Sequence, residues 1–305
     1  MVVIHSIEKD SPSAKPERRH NRLSCGSAYV YSLCNSNNGL NEKTMKIDNT
    51  QNTVLISGGT QGLGLEIARN LAENGCRKII LAGRTPEKGA RAEAEIRALG
   101  ASCHYIQADI SDAAQAQNLI NTAITHFGGL NSLVNSAATT ARGSLVDTDL
   151  DMWDHHMNTN LRGPFLLMQG LARHLLAKQA AGSMVNILST SAHVGQSFLT
   201  AYSTSKGGLL TLTKNTANAL RANKIRVNAV APGWMDTPAE AEIQKRFHDA
   251  GDDWVEKAEA TMPMGQLAKP AQLAPLIAYL LSPTSGIITG ATIDYDQQII
   301  GVVPE

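Results

Sequence analysis

Tyr202 and Lys206 stand four residues apart, an interval that puts both side chains on one face of a helix. A free phenol ionises near pH ~10, too high for it to serve as a base at neutrality. An ammonium ~4 Å from the phenol oxygen, at an effective dielectric of about 20, favours the phenolate by ~4 kcal/mol, about three pKa units before desolvation subtracts from that gain. Such a pair can exchange a proton with an alcohol or a carbonyl. Ser189, thirteen positions before Tyr202 and at the end of the apolar run Met184 to Leu188, can hydrogen-bond the same substrate oxygen. Whole turns along the Tyr202 face also carry Leu209 and Leu220, so Lys206 lies on an inward stripe where an unpaired ammonium is costly.

Upstream stands a glycine-rich turn, Ser57-Gly-Gly-Thr-Gln-Gly-Leu-Gly64. It follows a buried-strand pattern, Val54 to Ser57, and precedes a helix that carries Leu63, Ile67 and Leu71 and begins at about Gly62. Gly58, Gly62 and Gly64 let the backbone turn sharply and approach a pyrophosphate, whose charge sits on the free N–H groups of the helix start. Ser57, Thr60, Gln61 and Leu63 complete this cradle. A phosphate cradle joined to a tyrosine proton carrier describes hydride transfer on a nicotinamide cofactor, and the cofactor ribose with the tyrosine oxygen would supply the partner Lys206 needs. The second strand ends Leu81-Ala82-Gly83-Arg84, where an NAD-selective site offers a carboxylate to the adenosine ribose. Arg84 instead presents a fork of donors to a 2'-phosphate, so NADP(H) is favoured over NAD(H).

These groups need a scaffold. Strands are expected over Val54 to Ser57, Lys78 to Ala82, Cys103 to Gln107, Ser132 to Asn135, Met184 to Leu188, Ile225 to Val230 and Ala291 to Asp294. Between them run helical patterns, including Leu273, Leu276, Ile277 and Leu280, and Gly75, Gly100 and Gly128 stand where left-handed caps are wanted. Strand and helix in alternation predict one α/β domain, a Rossmann-like, doubly wound parallel sheet of about seven strands in three layers. Residues 1–49 are polar without sustained apolar period and read as a flexible extension, with Met45 as a candidate working start. Of the 305 residues, 43% are hydrophobic and 18% charged, which is a packed chain, and the net charge of zero leaves no footprint for nucleic acid. Cys25, Cys34, Cys76 and Cys103 have no metal-ligand spacing and suit a reducing cytosol; no run is apolar enough to span a bilayer, and a cytoplasmic location is expected.

Tyr202-Ser-Thr-Ser-Lys206, Ser189 upstream and the glycine cradle together resemble the short-chain dehydrogenase/reductase family, from Thr53 to the C-terminus. The resemblance implies that Tyr202 is the general acid/base, that Lys206 binds the ribose and lowers the tyrosine pKa, and that Ser189 positions substrate. It makes Asn160 the asparagine that holds a proton-relay water at a helix distortion, and Asp109, followed by Ile110, the aspartate that contacts adenine. Pro232-Gly233 and Thr237 resemble the segment whose threonine meets the nicotinamide carboxamide. Three departures stand out: Ser57 replaces a threonine, Asn135-Ser-Ala-Ala138 stands where Asn-Asn-Ala-Gly is common, and the last strand runs into Asp294-Tyr-Asp-Gln rather than a glycine pair.

His193, Gln196 and Trp234 are candidate pocket residues, and a lid is expected over 234–265, with Met235, Trp254, Met262 and Met264 packing beneath it. His155 and His156 are splayed by a helix and make a poor metal pair, so a surface or subunit-contact role is expected and no metal site. The expected activity is NADP(H)-linked interconversion of a small-molecule ketone and secondary alcohol, with a polyol or sugar-like substrate preferred. The alternatives are a 3-oxoacyl-thioester reductase of the same family and a non-catalytic dinucleotide-binding regulator. An enoyl reductase would carry a longer tyrosine-to-lysine interval. The resemblance also implies a homotetramer or dimer built through the helix after Asp149 and the Tyr202 helix.

Overall fold

Seven short apolar runs become seven strands, and the alternation of their side chains decides which helix layer each one meets. The computed structural model describes residues 46–302. In chain order the elements are β1 (Thr53–Ser57), α1 (Gly62–Glu73), β2 (Lys78–Gly83), α2 (Pro86–Ala98), β3 (Ser102–Gln107), α3 (Ala113–His126), β4 (Ser132–Asn135) and α4 (Leu150–Met157). A π-helical turn (Asn158–Arg162) leads into α5 (Gly163–Lys178), followed by β5 (Gly182–Ile187), α6 (Thr200–Leu220), β6 (Ile225–Pro232), α7 (Pro238–His248), α8 (Trp254–Glu259), α9 (Pro270–Leu281) and β7 (Thr292–Tyr295).

The sheet order is β3-β2-β1-β4-β5-β6-β7, and every pairing is parallel. On one face Val54, Ile56, Ile79 and Leu81 pack with α1, α2 and α9; on the other Leu55, Ile80 and Met184 pack with α3, α5 and α6. Neighbouring residues thus serve opposite layers, as the two-residue period of a strand requires. The strand order reverses between β1 and β4, where Ser57 lies opposite Asn135, and it is beyond the strand C-termini at such a switch point that doubly wound sheets bind their ligands.

Gly75, Gly100 and Gly128 all take positive φ, at 89, 84 and 73°. After α1 the cap is complete: Gly75 N donates to Ala72 O (3.1 Å) and Cys76 N to Leu71 O (2.9 Å). The extension expected over 1–49, with its Cys25, Cys34 and Met45, lies outside the described residues as far as position 45. Residues 46–49 belong with the sheet instead. Ile47 packs on the core, and the fully buried Asn49 donates to Ala278 O at the end of α9 (3.3 Å). A polar side chain that satisfies a distant helix carbonyl leaves no mark in local hydropathy. Cys76 and Cys103 are buried free thiols, pushed up by burial to about 11 and about 12.

Candidate active site

The cradle forms where β1 runs into α1, and three glycines make it possible. Gly58 (φ 71°) turns the chain so tightly that a Cβ there would lie 2.7 Å from the backbone of Ala137. At Gly64 a Cβ would lie 2.2 Å from Gly58 O, whereas at Gly62 (φ 53°) it would meet nothing within 4 Å. The start of α1 is therefore bare on its outer side. Gln61 at its N-cap makes no side-chain capping bond, and no acidic residue stands in the first turn. Free N–H groups with no competing carboxylate suit a pyrophosphate, so these residues fit a dinucleotide.

Around the cradle, Thr60 packs under Gly83, Ser57 is buried against Val134 O, and Ser136 N donates to Ser57 O (3.1 Å). Arg84 is exposed at the end of β2, and Lys88 Nζ reaches Gln61 Oε1 at 2.5 Å. Burial would raise the Asp109 carboxyl, but hydrogen bonds from Ser111 N and Oγ (2.9 and 2.7 Å) and the charge of Arg84 outweigh it and hold it low. Ile110 is buried behind it. Asn135 is also buried, donating to Asn186 Oδ1 (2.8 Å), and its own Oδ1 has no partner.

The expected α6 face is present, with Lys206, Leu209 and Leu220 buried. Tyr202 stands, half-buried, in its first turn, and Ser189 caps the short 3-10 turn Thr190–Ala192 beside it. Asn160 sits, fully buried, in the π-helical turn, so the helix distortion anticipated there exists. Its amide binds both backbone groups of Thr139 (2.9 and 3.0 Å) and donates to Ser205 Oγ (3.0 Å), which donates to Tyr202 O (2.7 Å). Asn160 thereby locks the loop after β4 to α6.

The expected depression of the tyrosine pKa is not what the protein alone achieves. Burial pushes the Tyr202 phenol up to about 12, against the opposing effect of the Ser189 hydroxyl, and burial brings Lys206 down to about 8. The ammonium donates to Ile187 O at 2.7 Å and lies 5.8 Å from the centre of the Tyr202 ring. The strand carbonyl accepts the hydrogen bond that spacing alone assigned to the phenol oxygen. A stability signature follows from this buried amine. Below pH ~8 both folded and unfolded chains carry the charge; between about 8 and 10.5 only the unfolded chain holds the proton, so folding stability rises with pH across that window. Relative to Lys206→Met, the wild type should gain on the order of 2–3 kcal/mol from pH 8 to 10.5 in denaturant melts. A flat difference would show that the amine is not buried as described.

The substrate side holds what the spacing of motifs did not reveal. His156, expected at a surface or subunit contact, is fully buried; its ring meets Tyr202 edge-on at 6.4 Å, Nδ1 lies 2.8 Å from Met152 O, and burial keeps it below the usual histidine pKa. His155 remains exposed, and no metal-binding cluster occurs among the described residues. His193 Nε2 lies 2.9 Å from Asp294 Oδ1, so the unusual C-terminal carboxylate holds the loop after Ser189. Asp296 sits where a Cβ on Gly233 would come within 2.2 Å, next to Pro232 at the end of β6. Thr237 caps α7 by accepting from Glu240 N (3.1 Å). Gln196 is exposed, its carbonyl accepting from Leu199 N (3.0 Å). Trp234 stacks at a tilt 6.2 Å from Trp254 and donates to Glu240 Oε1 (2.9 Å). Arg142 and Glu240 also approach Tyr202 closely enough to act on its proton, and neither was anticipated. Glu240 closes the pattern Thr237-Pro-Ala-Glu240, which reads locally as a helix cap and nothing more.

Comparison with known proteins adds the lineage. A family model described as enoyl-(acyl carrier protein) reductase matches residues 58–297. A 3-oxoacyl-(acyl-carrier-protein) reductase FabG of Staphylococcus aureus is 31% identical over 241 residues, 79% of this chain and 95% of that protein. Among solved structures, a putative short-chain alcohol dehydrogenase from Sinorhizobium meliloti superposes with a TM-score of 0.75 at 30% identity, covering 83% of this chain and 97% of its own. An actinorhodin polyketide ketoreductase solved with NADPH gives 0.76 at 28% identity, covering 82% and 98%. None of the departures noted above interrupts a likeness that runs from the first glycine of the cradle past the last strand, and the chain belongs to the short-chain dehydrogenase/reductase family of oxidoreductases.

Proposed function

We propose that the chain is an NADP(H)-dependent oxidoreductase interconverting a ketone and a secondary alcohol. The observation that carries this reading is the half-buried Tyr202 phenol, flanked by Ser189 and one turn from the buried Lys206, in a fold whose first helix presents a bare N-terminus. The bound dinucleotide supplies the hydride donor or acceptor. Gly58, Gly62 and Gly64 admit its pyrophosphate, Asp109 and Asn135 face the adenosine half, and Lys206 and Thr237 serve the nicotinamide riboside. Tyr202, held protonated near neutrality by its burial, gives its proton to the oxygen of a ketone as that oxygen gains charge, while Ser189 hydrogen-bonds the same atom. A phenol pushed up in this way is the form that reduction requires.

Arg84 and Lys88 support the NADP(H) preference, because they bring two cations to the side of the cradle where β2 carries no carboxylate. In an absorbance assay over a ketone panel with both cofactors, NADPH should be the better reductant. Arg84→Ala should raise KM for NADPH by about 10- to 100-fold and leave that for NADH within about threefold, as expected for one charge-assisted contact. A wild-type preference for NADH would overturn the assignment.

A second substrate class, 3-oxoacyl thioesters, is favoured by the names of the relatives, a 3-oxoacyl-(acyl-carrier-protein) reductase and a polyketide ketoreductase. The four-residue interval from Tyr202 to Lys206 speaks against enoyl reduction, although the matching family model carries that description.

A further inference from the structure

Gly143 and Leu199 make a short parallel bridge in which Gly143 N donates to Phe198 O (3.0 Å) and Thr200 N donates to Gly143 O (3.1 Å). The loop after β4 is thereby tied to the start of α6, three residues before Tyr202. Arg142, next to this bridge, lays its guanidinium over the Phe198 ring, 5.4 Å from the centroid, and brings Nη2 within 3.2 Å of Glu240 Oε1 on α7. The two side chains are only 16% and 18% exposed.

Glu240 Oε1 is crowded, since it also accepts from Trp234 Nε1 (2.9 Å) and Gln244 Nε2 (2.7 Å). Its other oxygen, Oε2, receives no donor among the described residues. Arg142 is the complement: Nη2 is used on Glu240, and Nη1 meets no acceptor among the described residues. The bridge to Leu199 and the Phe198 ring hold Arg142 beside the first turn of α6, where Tyr202 stands, and Glu240 is tied to it there. Enclosed ion pairs lose much of their attraction to desolvation, so stability alone is a weak reason for one here.

We propose that Arg142 and Glu240 are a substrate-binding pair that recognises hydroxyl groups next to the reacting carbon, and hence a polyhydroxylated ketone or its polyol. The inference rests on the reading of Tyr202 as the proton carrier of an alcohol–ketone oxidoreductase. A hydroxyl both accepts and donates, so it can accept from Arg142 Nη1 and give its own hydrogen to Glu240 Oε2. A carboxylate would be drawn to Arg142 but repelled by Glu240. An alkyl acyl chain would cover both polar atoms without pairing either, which a site built to hydrogen-bond rejects strongly.

The test compares NADPH-linked reduction of erythrulose and D-fructose with that of 2-butanone, 2-hexanone and the acetoacetyl thioester of N-acetylcysteamine. The wild type should favour the hydroxylated ketones over the plain ones by at least about 10-fold in kcat/KM. Glu240→Gln and Arg142→Met should each lower kcat/KM for the hydroxylated ketone by at least about 10-fold more than for 2-butanone, because any effect through the Tyr202 proton falls on both substrates alike, and an equal fall on both overturns the pair's role. Should Arg142→Met melt early, the isosteric Glu240→Gln carries the test alone. Turnover confined to plain ketones or the thioester, indifferent to both substitutions, overturns the pair's role while leaving the oxidoreductase reading intact. If the wild type binds NADPH but reduces no carbonyl in the panel, both readings fall.

Discussion

Tyr202→Phe is expected to lower kcat for ketone reduction by about 10²- to 10⁴-fold, the range for losing a positioned general acid. The substitution removes one oxygen and keeps the ring, so the edge-on contact with His156 and the helix that carries both should survive. Cofactor affinity, read by quenching of protein fluorescence with NADPH, should stay within about threefold, because the cradle lies on β1 and α1 rather than on α6. Loss of turnover with retained binding is the result that separates an enzyme from a cofactor-binding regulator on the same scaffold. Activity within about tenfold of wild type would remove the phenol from the mechanism, since no other proton donor of the site could replace it at that efficiency.

Gly64→Ala should be the most damaging single methyl group in the cradle. Its Cβ would lie 2.2 Å from Gly58 O and 2.8 Å from Gly58 C, and Gly58 has no room to retreat because its own vacant Cβ position is filled by the Ala137 backbone. The clash is between main chains, so no rotamer relieves it. We expect a stability loss of about 1–3 kcal/mol from overpacking and a rise in the NADPH dissociation constant of about 30-fold or more, as the turn moves off the pyrophosphate. Gly62→Ala is the control for stability. A Cβ there meets nothing in the protein, so the stability cost is only that of a left-handed residue, about 1–2 kcal/mol. Equal stability losses well above that at the two positions in calorimetric melts would mean that close approach of backbone to backbone is not what shapes the cradle.

Much of the scaffold was legible before any coordinates. Each strand was anticipated to within two residues at either end, and the three capping glycines fell where φ had to be positive, because these features depend on neighbours in the chain. The four residues 46–49 escaped because Asn49 earns its place through a carbonyl on α9, far along the sequence. His156 escaped for a related reason. A histidine one position along a helix from an exposed one reads as surface until the ring of Tyr202 closes over it.

Local order therefore determined the parallel sheet, the glycine cradle and the presence of Ser189, Tyr202 and Lys206 on adjoining elements, since strand alternation, helix period and glycine dihedrals all act over a few residues. Tertiary structure alone decided where the charges point. The Lys206 ammonium turned to Ile187 O, the first-turn glutamate of α7 was drawn to Arg142, and the Tyr202 proton was tightened by burial. Electrostatic partners are chosen by distance and dielectric in space, and neither quantity is written in the spacing of residues along a chain.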